Sequence, residues 1–589
     1  MANRAVAEGS PNQAEGRDRA TDWRWVTGTG QLFQLWRALP RWWKLVALCV
    51  AANLIETGLV LGFDHGARPD LAPQASAVAP FGVFGDLRWV SVYHDSWTVL
   101  AGELAAMLLV RGALTAVSVA LAWPAHLEGP PARRLLPRGI LATGLAGVLL
   151  VPSVVVLFGL AAASVSWLFL AAVPAALLVA FIAHPIGVTS DWWRRVIAIR
   201  AIGWVALSFL VLSMATAVIG VSPSFLWPFI AALTGLFNAW SWSGLVRALV
   251  DRRPARHLVP VVPMATLALA GVIVGGTVLG FGHVREARAE ASPLAAQEIA
   301  MGQPVLVVSG YGSTWDGGSE HPVPGDFMEV PFSYRGLSPG GEPLPYTAMD
   351  TVKALPQLDQ MLLDQVSALY ARTGQLVDVV AESEGALVAK TALLSEPASP
   401  VATLVMASPI EDPGRVFYPT KGDAGWGVAS DEAMRLLSDA FQGVAPVDLS
   451  PDSAFLASLD GKASVLEKAM SCPISGTRQF ALLPLADATV VPVAEKLSFP
   501  SVVLPAFHGG LIESASGQKV LSQVLSNRPV TEDRLLQLAD EAISYASAAW
   551  QVPSLARSEI PGAAHLAGTS PSCTQVAAQL RATISRPNG

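Results

Sequence analysis

Charge is scarce in this chain. Of 589 residues only 14% are Asp, Glu, Lys or Arg, while 52% are hydrophobic and mean hydropathy is +0.45. Soluble domains carry roughly a quarter of their residues charged, so a wholly soluble protein is excluded. The net charge is −7 and no basic cluster with interleaved aromatics occurs, which removes nucleic acid from the candidate partners. Cysteine is nearly absent, with three residues in all: Cys49, Cys472 and Cys573. No metal-ligand spacing and no nucleotide-binding loop is present, so neither a metal nor an organic cofactor is expected.

What the chain does have is apolar runs, concentrated before residue 282. About 20 apolar residues cross roughly 30 Å of hydrocarbon, and seven candidate spans follow, near 44–63, 97–123, 140–162, 165–184, 201–221, 227–249 and 258–281. The third and fourth are separated only by a small-residue run, so a tight hairpin or a broken helix is the alternative there. Basic residues fall in alternate connections: Arg37, Arg41 and Lys44; Arg133, Arg134 and Arg138; Arg194, Arg195 and Arg200; Arg252, Arg253 and Arg256. Short basic loops stay cytoplasmic, so the N-terminus is expected inside and everything after the seventh span outside, in a multi-pass protein of the cell membrane. The expected organisation is a mobile polar N-terminus over 1–35, a helical transmembrane domain over 36–282, a linker over 283–303, a second domain over 304–552 and a Pro/Ser-rich tail over 553–589. Within the spans Glu56, Glu103 and Arg111 need a reason, because a charge at the bilayer centre is costly. An ion pair between packed helices is expected; a grip on a lipid headgroup or substrate is the other reading.

From residue 304 the pattern changes to short β-branched runs alternating with amphipathic helices, the rhythm of a mainly parallel sheet covered on both faces. PVLVVS, LVDVVA, ATLVMA, QFALLP and SVVLP are the expected strands. Between the first two, Leu358, Met361, Leu362, Leu369 and Tyr370 recur at helical spacing and form one apolar stripe.

The stretch VDVVAESEGALVAK at 377–390 carries the chemistry. An exposed nucleophilic serine on a strand-to-helix turn needs small residues on both sides so that strand and helix approach closely; here Ala381 and Gly385 flank Ser383 at those positions. Such a serine needs a base and an acid to orient it, in the chain order Ser, Asp, His. Asp487 follows the run ALLPL, and His508 follows SVVLP. His321 and His565 are competing bases without a placed acid partner. Charge on the reacting oxygen would be held by backbone N–H groups: Tyr311 or Gly312, in the Gly-rich loop at 307–318, joined by Glu384. A carboxylate near that oxygen would oppose its stabilisation, so Glu382 and Glu384 must point away or find partners.

On VLVVSGYGST, VPFSYRGL, VDVVAESEGALVAK, DSAFLASL, LADATVVP and FHGGLI, the region from 304 to about 550 resembles the α/β-hydrolase superfamily, and within it bacterial lipases and esterases. The resemblance implies a Ser383, Asp487, His508 triad, a variable cap over about 409–477 and an ester or lipid substrate, with membrane lipids as neighbours. It departs from the usual lipase elbow in having Ala381 and Glu382 there. Hydrolysis and acyl transfer both remain open, and the rival reading is a transporter, lipid-binding scaffold or assembly subunit with a degenerate hydrolase domain. Cys472 and Cys573 both fall in the outer half, where a disulfide persists; a bridge would tie tail to cap, and two free thiols are the alternative.

Overall fold

A computed structural model describes residues 37–63, 74–163, 180–181, 199–250, 302–410, 427–441, 448–548, 550 and 572–584, with short interruptions at 319–322, 324–326, 449, 460–461, 486, 488–496 and 507. The expected N-terminal segment, the seventh span, all but the last two residues of the linker, nearly all of the fourth span, and both His321 and His565 lie outside these residues.

Five helices among the described residues are long and apolar enough to cross a membrane. They are α1 (Arg41–Phe63), α3 (Trp97–Ala122), α4 (Ala132–Ala163), α5 (Ile199–Val221) and α6 (Trp227–Val250), with the shorter α2 (Ala79–Val92) between the first two. Apolar side chains give no net drive for helices to associate in lipid, so close backbone approach matters. Glycines supply it. A Cβ on Gly139 would lie 2.4 Å from the Gly112 carbonyl oxygen, and one on Gly235 would lie 2.7 Å from Val50 Cα.

The segment 74–92, which falls between the first two expected spans, is an interior element. Every described side chain from Gln74 to Arg88 except Asp86 is buried. Its backbone polar groups are matched by an internal network: Ser76 N–H and Oγ donate to Asn53 Oδ1 at 3.1 and 2.8 Å, Asn238 Nδ2 donates to Ser76 Oγ at 2.9 Å, and Trp242 Nε1 donates to the Ser76 carbonyl at 3.0 Å. Of the three intramembrane charges, Arg111 pairs with a carboxylate on a neighbouring helix that the sequence reading did not single out. Arg111 forks onto the Asp86 carboxylate and donates its third group to the Ala75 carbonyl. Gly82 and Asp86 share a face of α2 one turn apart, and Gly82 leaves room for the guanidinium, since a Cβ there would lie 2.8 Å from Arg111 Nη1. Glu56 joins this cluster through the Ala75 N–H, whereas Glu103 does not; it sits toward Asp95, at the start of α3.

Among the described residues of the second domain, six strands form a fully parallel sheet in the order β2-β1-β3-β4-β5-β6. The strands are β1 (Pro304–Val308), β2 (Met328–Pro331), β3 (Val377–Glu382), β4 (Val401–Ala407), β5 (Arg478–Pro484) and β6 (Ser501–Leu504). The five β-branched runs read from the sequence are all strands. β2 is added at the edge, where a short MEVP segment carries too little apolar signal to be read.

Both faces are covered, which is why β1 is apolar at every position. On one face lie α7 (Leu355–Thr373), α8 (Glu384–Ser395), α10 (Ala454–Leu459), α11 (Ala463–Ser471) and α14 (Cys573–Ile584); on the other lies α12 (Ala515–Leu525). In α7 Leu358, Leu362 and Leu369 face the core as expected, joined by Leu355 and Val366, while Tyr370 is 42% exposed and belongs to the solvent face. Within the expected tail, Cys573–Ile584 form α14, held by a Cys472–Cys573 disulfide.

Among the described residues, α9 (Val428–Phe441), α13 (Arg534–Ala548) and Trp550 bring the two domains into contact. α9 seats its N-terminus on the 91–94 turn, and α13 lies along α5, with Tyr545 against Gly220. Beyond α13, Trp550 is fully buried among Phe81, Phe84 and Phe209, at ring-centroid distances of 5.9, 6.1 and 4.7 Å, and donates to Ser213 Oγ at 2.8 Å.

Candidate active site

Strand order reverses its sense of growth at β1: β2 lies on one side of it and β3 on the other. The loops leaving β1 and β3 therefore diverge and open a crevice at the carboxyl edge of the sheet. Ser383 stands there, in the turn between β3 and α8, with φ 55° and ψ −118°. A non-glycine residue in this conformation costs about 1–3 kcal/mol. The surroundings hold it: Ser383 N–H donates to the Ala407 carbonyl at 2.9 Å, tying the turn to β4.

The small residues make the turn possible. A Cβ on Gly385 would lie 2.6 Å from the Val308 carbonyl oxygen and 2.8 Å from that of Ser309, so only glycine lets α8 start against the end of β1. From the other side Gly310 approaches the serine itself: a Cβ there would meet Ser383 Cβ at 3.0 Å. Ala381 is fully buried in β3.

The loops after β5 and β6 bring in the other two groups. His508 Nε2 lies 2.7 Å from Ser383 Oγ, and His508 Nδ1 lies 2.6 Å from Asp487 Oδ2. Three residues spread over 125 positions thus meet in one line. Asp487 is an acceptor only, so it takes the Nδ1–H and leaves Nε2 with its lone pair toward the serine hydroxyl. Burial pulls the His508 imidazole down in pKa; the Asp487 carboxylate and, less strongly, Glu382 outweigh it, so His508 titrates above the ordinary histidine value.

The glutamates flanking the serine part company. Glu384 is completely buried, and burial pushes its carboxyl well above the usual carboxylate range. Its polar neighbour is the Tyr334 hydroxyl, which donates to the Ser309 carbonyl. Burial thus favours the uncharged form of this carboxyl, the form that would oppose an oxyanion least. Glu382 is half-buried on the His508 side, where its charge favours the imidazolium.

Of the two expected donors in the loop after β1, Gly312 is committed elsewhere: its N–H donates to Thr351 Oγ1 at 2.9 Å. Tyr311 N–H and the Glu384 N–H at the first position of α8 have no acceptor among the described residues, the latter because the first turn of a helix has no preceding carbonyl. Sequence reasoning missed Thr351, which lies in a 3-10 turn over Ala348–Val352, and nothing in its spacing from the Gly-rich loop signals the contact.

The arrangement can remove a proton from Ser383, store it on His508 and deliver it again, beside backbone donors at a helix N-terminus. No protein-family model matches the chain, and no curated protein resembles it in sequence at a significant level, so the geometry of these residues is what bears on function.

Proposed function

We propose that this protein is a polytopic membrane protein of about seven spans whose second domain is an extracytoplasmic serine hydrolase or acyltransferase of α/β-hydrolase type. The observation that carries the reading is the Ser383, His508, Asp487 line, with contacts of 2.7 and 2.6 Å, at the switch point of a parallel sheet. Ser383 Oγ attacks an ester carbonyl carbon as its proton passes to His508 Nε2. The oxyanion that forms is met by the Tyr311 and Glu384 N–H groups. Collapse of the tetrahedral species breaks the C–O bond, and the imidazolium returns the proton to the departing alkoxide. Water or an acceptor hydroxyl then gives up its proton to Nε2 and attacks the acyl carbon; collapse of this second tetrahedral species breaks the bond to Ser383 Oγ, which takes the proton back from Nε2.

Orientation is supported by where charge lies. Arg41 and Lys44 begin α1, Arg133, Arg134 and Arg138 begin α4, Arg200 begins α5 and Arg247 ends α6, whereas the second domain touches the 91–94 turn and the far end of α5. Basic ends favour the cytoplasmic side, which supports a cytoplasmic N-terminus and a sheet on the outer face of the cell membrane. The Cys472–Cys573 bridge suits that compartment. A catalytic domain seated on the bundle favours membrane lipids or an envelope glycolipid as the ester.

Labelling with a serine-directed fluorophosphonate tests the proposal. Wild-type protein should label and Ser383→Ala should not, with an uncleaved lipid accumulating in cells that carry the variant. Absence of labelling in both would favour the scaffold or transporter reading.

A further inference from the structure

A chain of side-chain contacts runs from the membrane bundle to the loop that carries Tyr311. It begins at His94, in the turn between α2 and α3. His94 Nδ1 lies 2.6 Å from the Val90 carbonyl and must donate to it, so Nε2 is the acceptor, and it takes the Ala429 N–H at 2.8 Å. The His94 carbonyl takes the Gly427 N–H at 2.7 Å, and Ser430 Oγ donates to the Ser91 carbonyl at 2.6 Å. The first turn of a helix has N–H groups without intrahelical partners, normally met by a neighbouring side chain in sequence. For α9 a histidine 335 positions away does this.

Two turns along α9, Arg435 is buried at 6% exposure and paired with Asp431 one turn before it. It also forks onto Asp452, Nε and Nη2 reaching the two carboxylate oxygens at 2.8 and 2.7 Å. Asp452 belongs to a knitted turn, with Ser450 N–H on Asp448 Oδ1 at 2.8 Å and Ser453 N–H on the Ser450 carbonyl at 3.0 Å. That turn takes the Tyr311 hydroxyl on the Asp448 carbonyl, and Phe455 beyond it lies 5.6 Å from the Tyr311 ring. Tyr311 is the residue whose N–H faces the reacting oxygen in the function proposed above, on which this inference rests.

We propose that α9 is a strut through which the membrane domain sets the position of the Tyr311 loop, with His94 as its seat and Arg435 as its far joint. Both are positioning residues; neither touches substrate. A bidentate guanidinium fixes direction as well as distance, so movement of the 91–94 turn reaches the 448–453 turn with little slack. The purpose of a multi-helix anchor for one hydrolase follows: bundle geometry regulates how well the oxyanion is held.

Amide hydrogen exchange on the full-length protein in lipid nanodiscs tests the link, together with kcat and KM on a short-chain chromogenic ester. His94→Ala should raise exchange in the first turn of α9, in 448–453 and in 310–313. It should lower kcat by about 10-fold with KM within about twofold, a fraction of the roughly 10²–10³ lost when an oxyanion donor is removed outright. His94→Gln, whose amide oxygen can occupy the Nε2 position and accept the Ala429 N–H, should restore both. Faster exchange confined to 427–431 with unchanged kcat would overturn the proposal, as would a His94→Gln variant no better than alanine. Should His94→Ala fail to fold, Ser430→Ala, which removes only the bond to Ser91, should give the same exchange pattern at smaller amplitude. The exchange data stand even if wild-type Ser383 proves inert, so loss of the catalytic reading and loss of the strut are told apart.

Discussion

Replacing Asp487 by asparagine makes the sharpest test of the site, because it changes charge and hydrogen-bonding sense at one buried atom with almost no change in volume. Asp487 is 2% exposed and His508 12% exposed, so solvent replaces little of what is lost. An asparagine can turn its NH2 toward His508 Nδ1, which then becomes the acceptor and moves the proton to Nε2, where it faces Ser383 Oγ from the wrong side of the exchange. The same substitution in a Ser-His-Asp site of this kind lowers kcat by about 10⁴, or about 5 kcal/mol of barrier.

A second readout follows from charge. His508 must be neutral to act, and its pKa lies above the ordinary value, so wild-type kcat/KM should rise with pH along a limb centred above about 6.5. With Asp487 neutralised, burial dominates and the limb should move to lower pH. In the stability profile the sign is opposite in use. The raised imidazole contributes stabilisation that is fully present below about pH 6.5 and fades as pH rises through its folded pKa. Initial rates on a chromogenic ester between pH 5 and 9 would measure the first two effects. A loss of less than about tenfold, or a limb that stays in place, would refute the role assigned to Asp487.

Gly385→Ala should destabilise by about 1–3 kcal/mol, because the new methyl meets backbone oxygens of β1 that have no rotamer to yield; denaturant midpoints would show it. Trp550→Ala removes a fully buried ring from a three-phenylalanine cluster and a bond to Ser213, and thermal melts in detergent should report a loss of about 3–5 kcal/mol. Cys573→Ser opens a link across 101 positions, worth up to about 4.7 kcal/mol of chain entropy, and should expose α14 to protease while membrane insertion is unchanged.

Local patterns carried much of this protein. β-branched runs bounded by turn residues announced five strands, an apolar stripe announced α7, and the order Ser383, Asp487, His508 placed each group after a strand end; these are properties of neighbouring residues, read without knowing what lies across the fold. The stripe also shows the limit, since Tyr370 sits at helical spacing beside Leu369 yet faces solvent. Hydropathy could not show α2, because Asp86 and Arg88 interrupt its apolar residues, and only Arg111, on another helix, makes Asp86 tolerable inside the bundle. Likewise nothing near Gly312 reveals that Thr351 takes its N–H, and nothing near Val428 reveals that His94 seats α9. Periodicity, turn chemistry and span length are set by short-range sterics and by the solvent each residue type prefers, so sequence alone determined them. Which buried polar group meets which partner depends on contacts between distant segments, and that pairing only the tertiary structure decided.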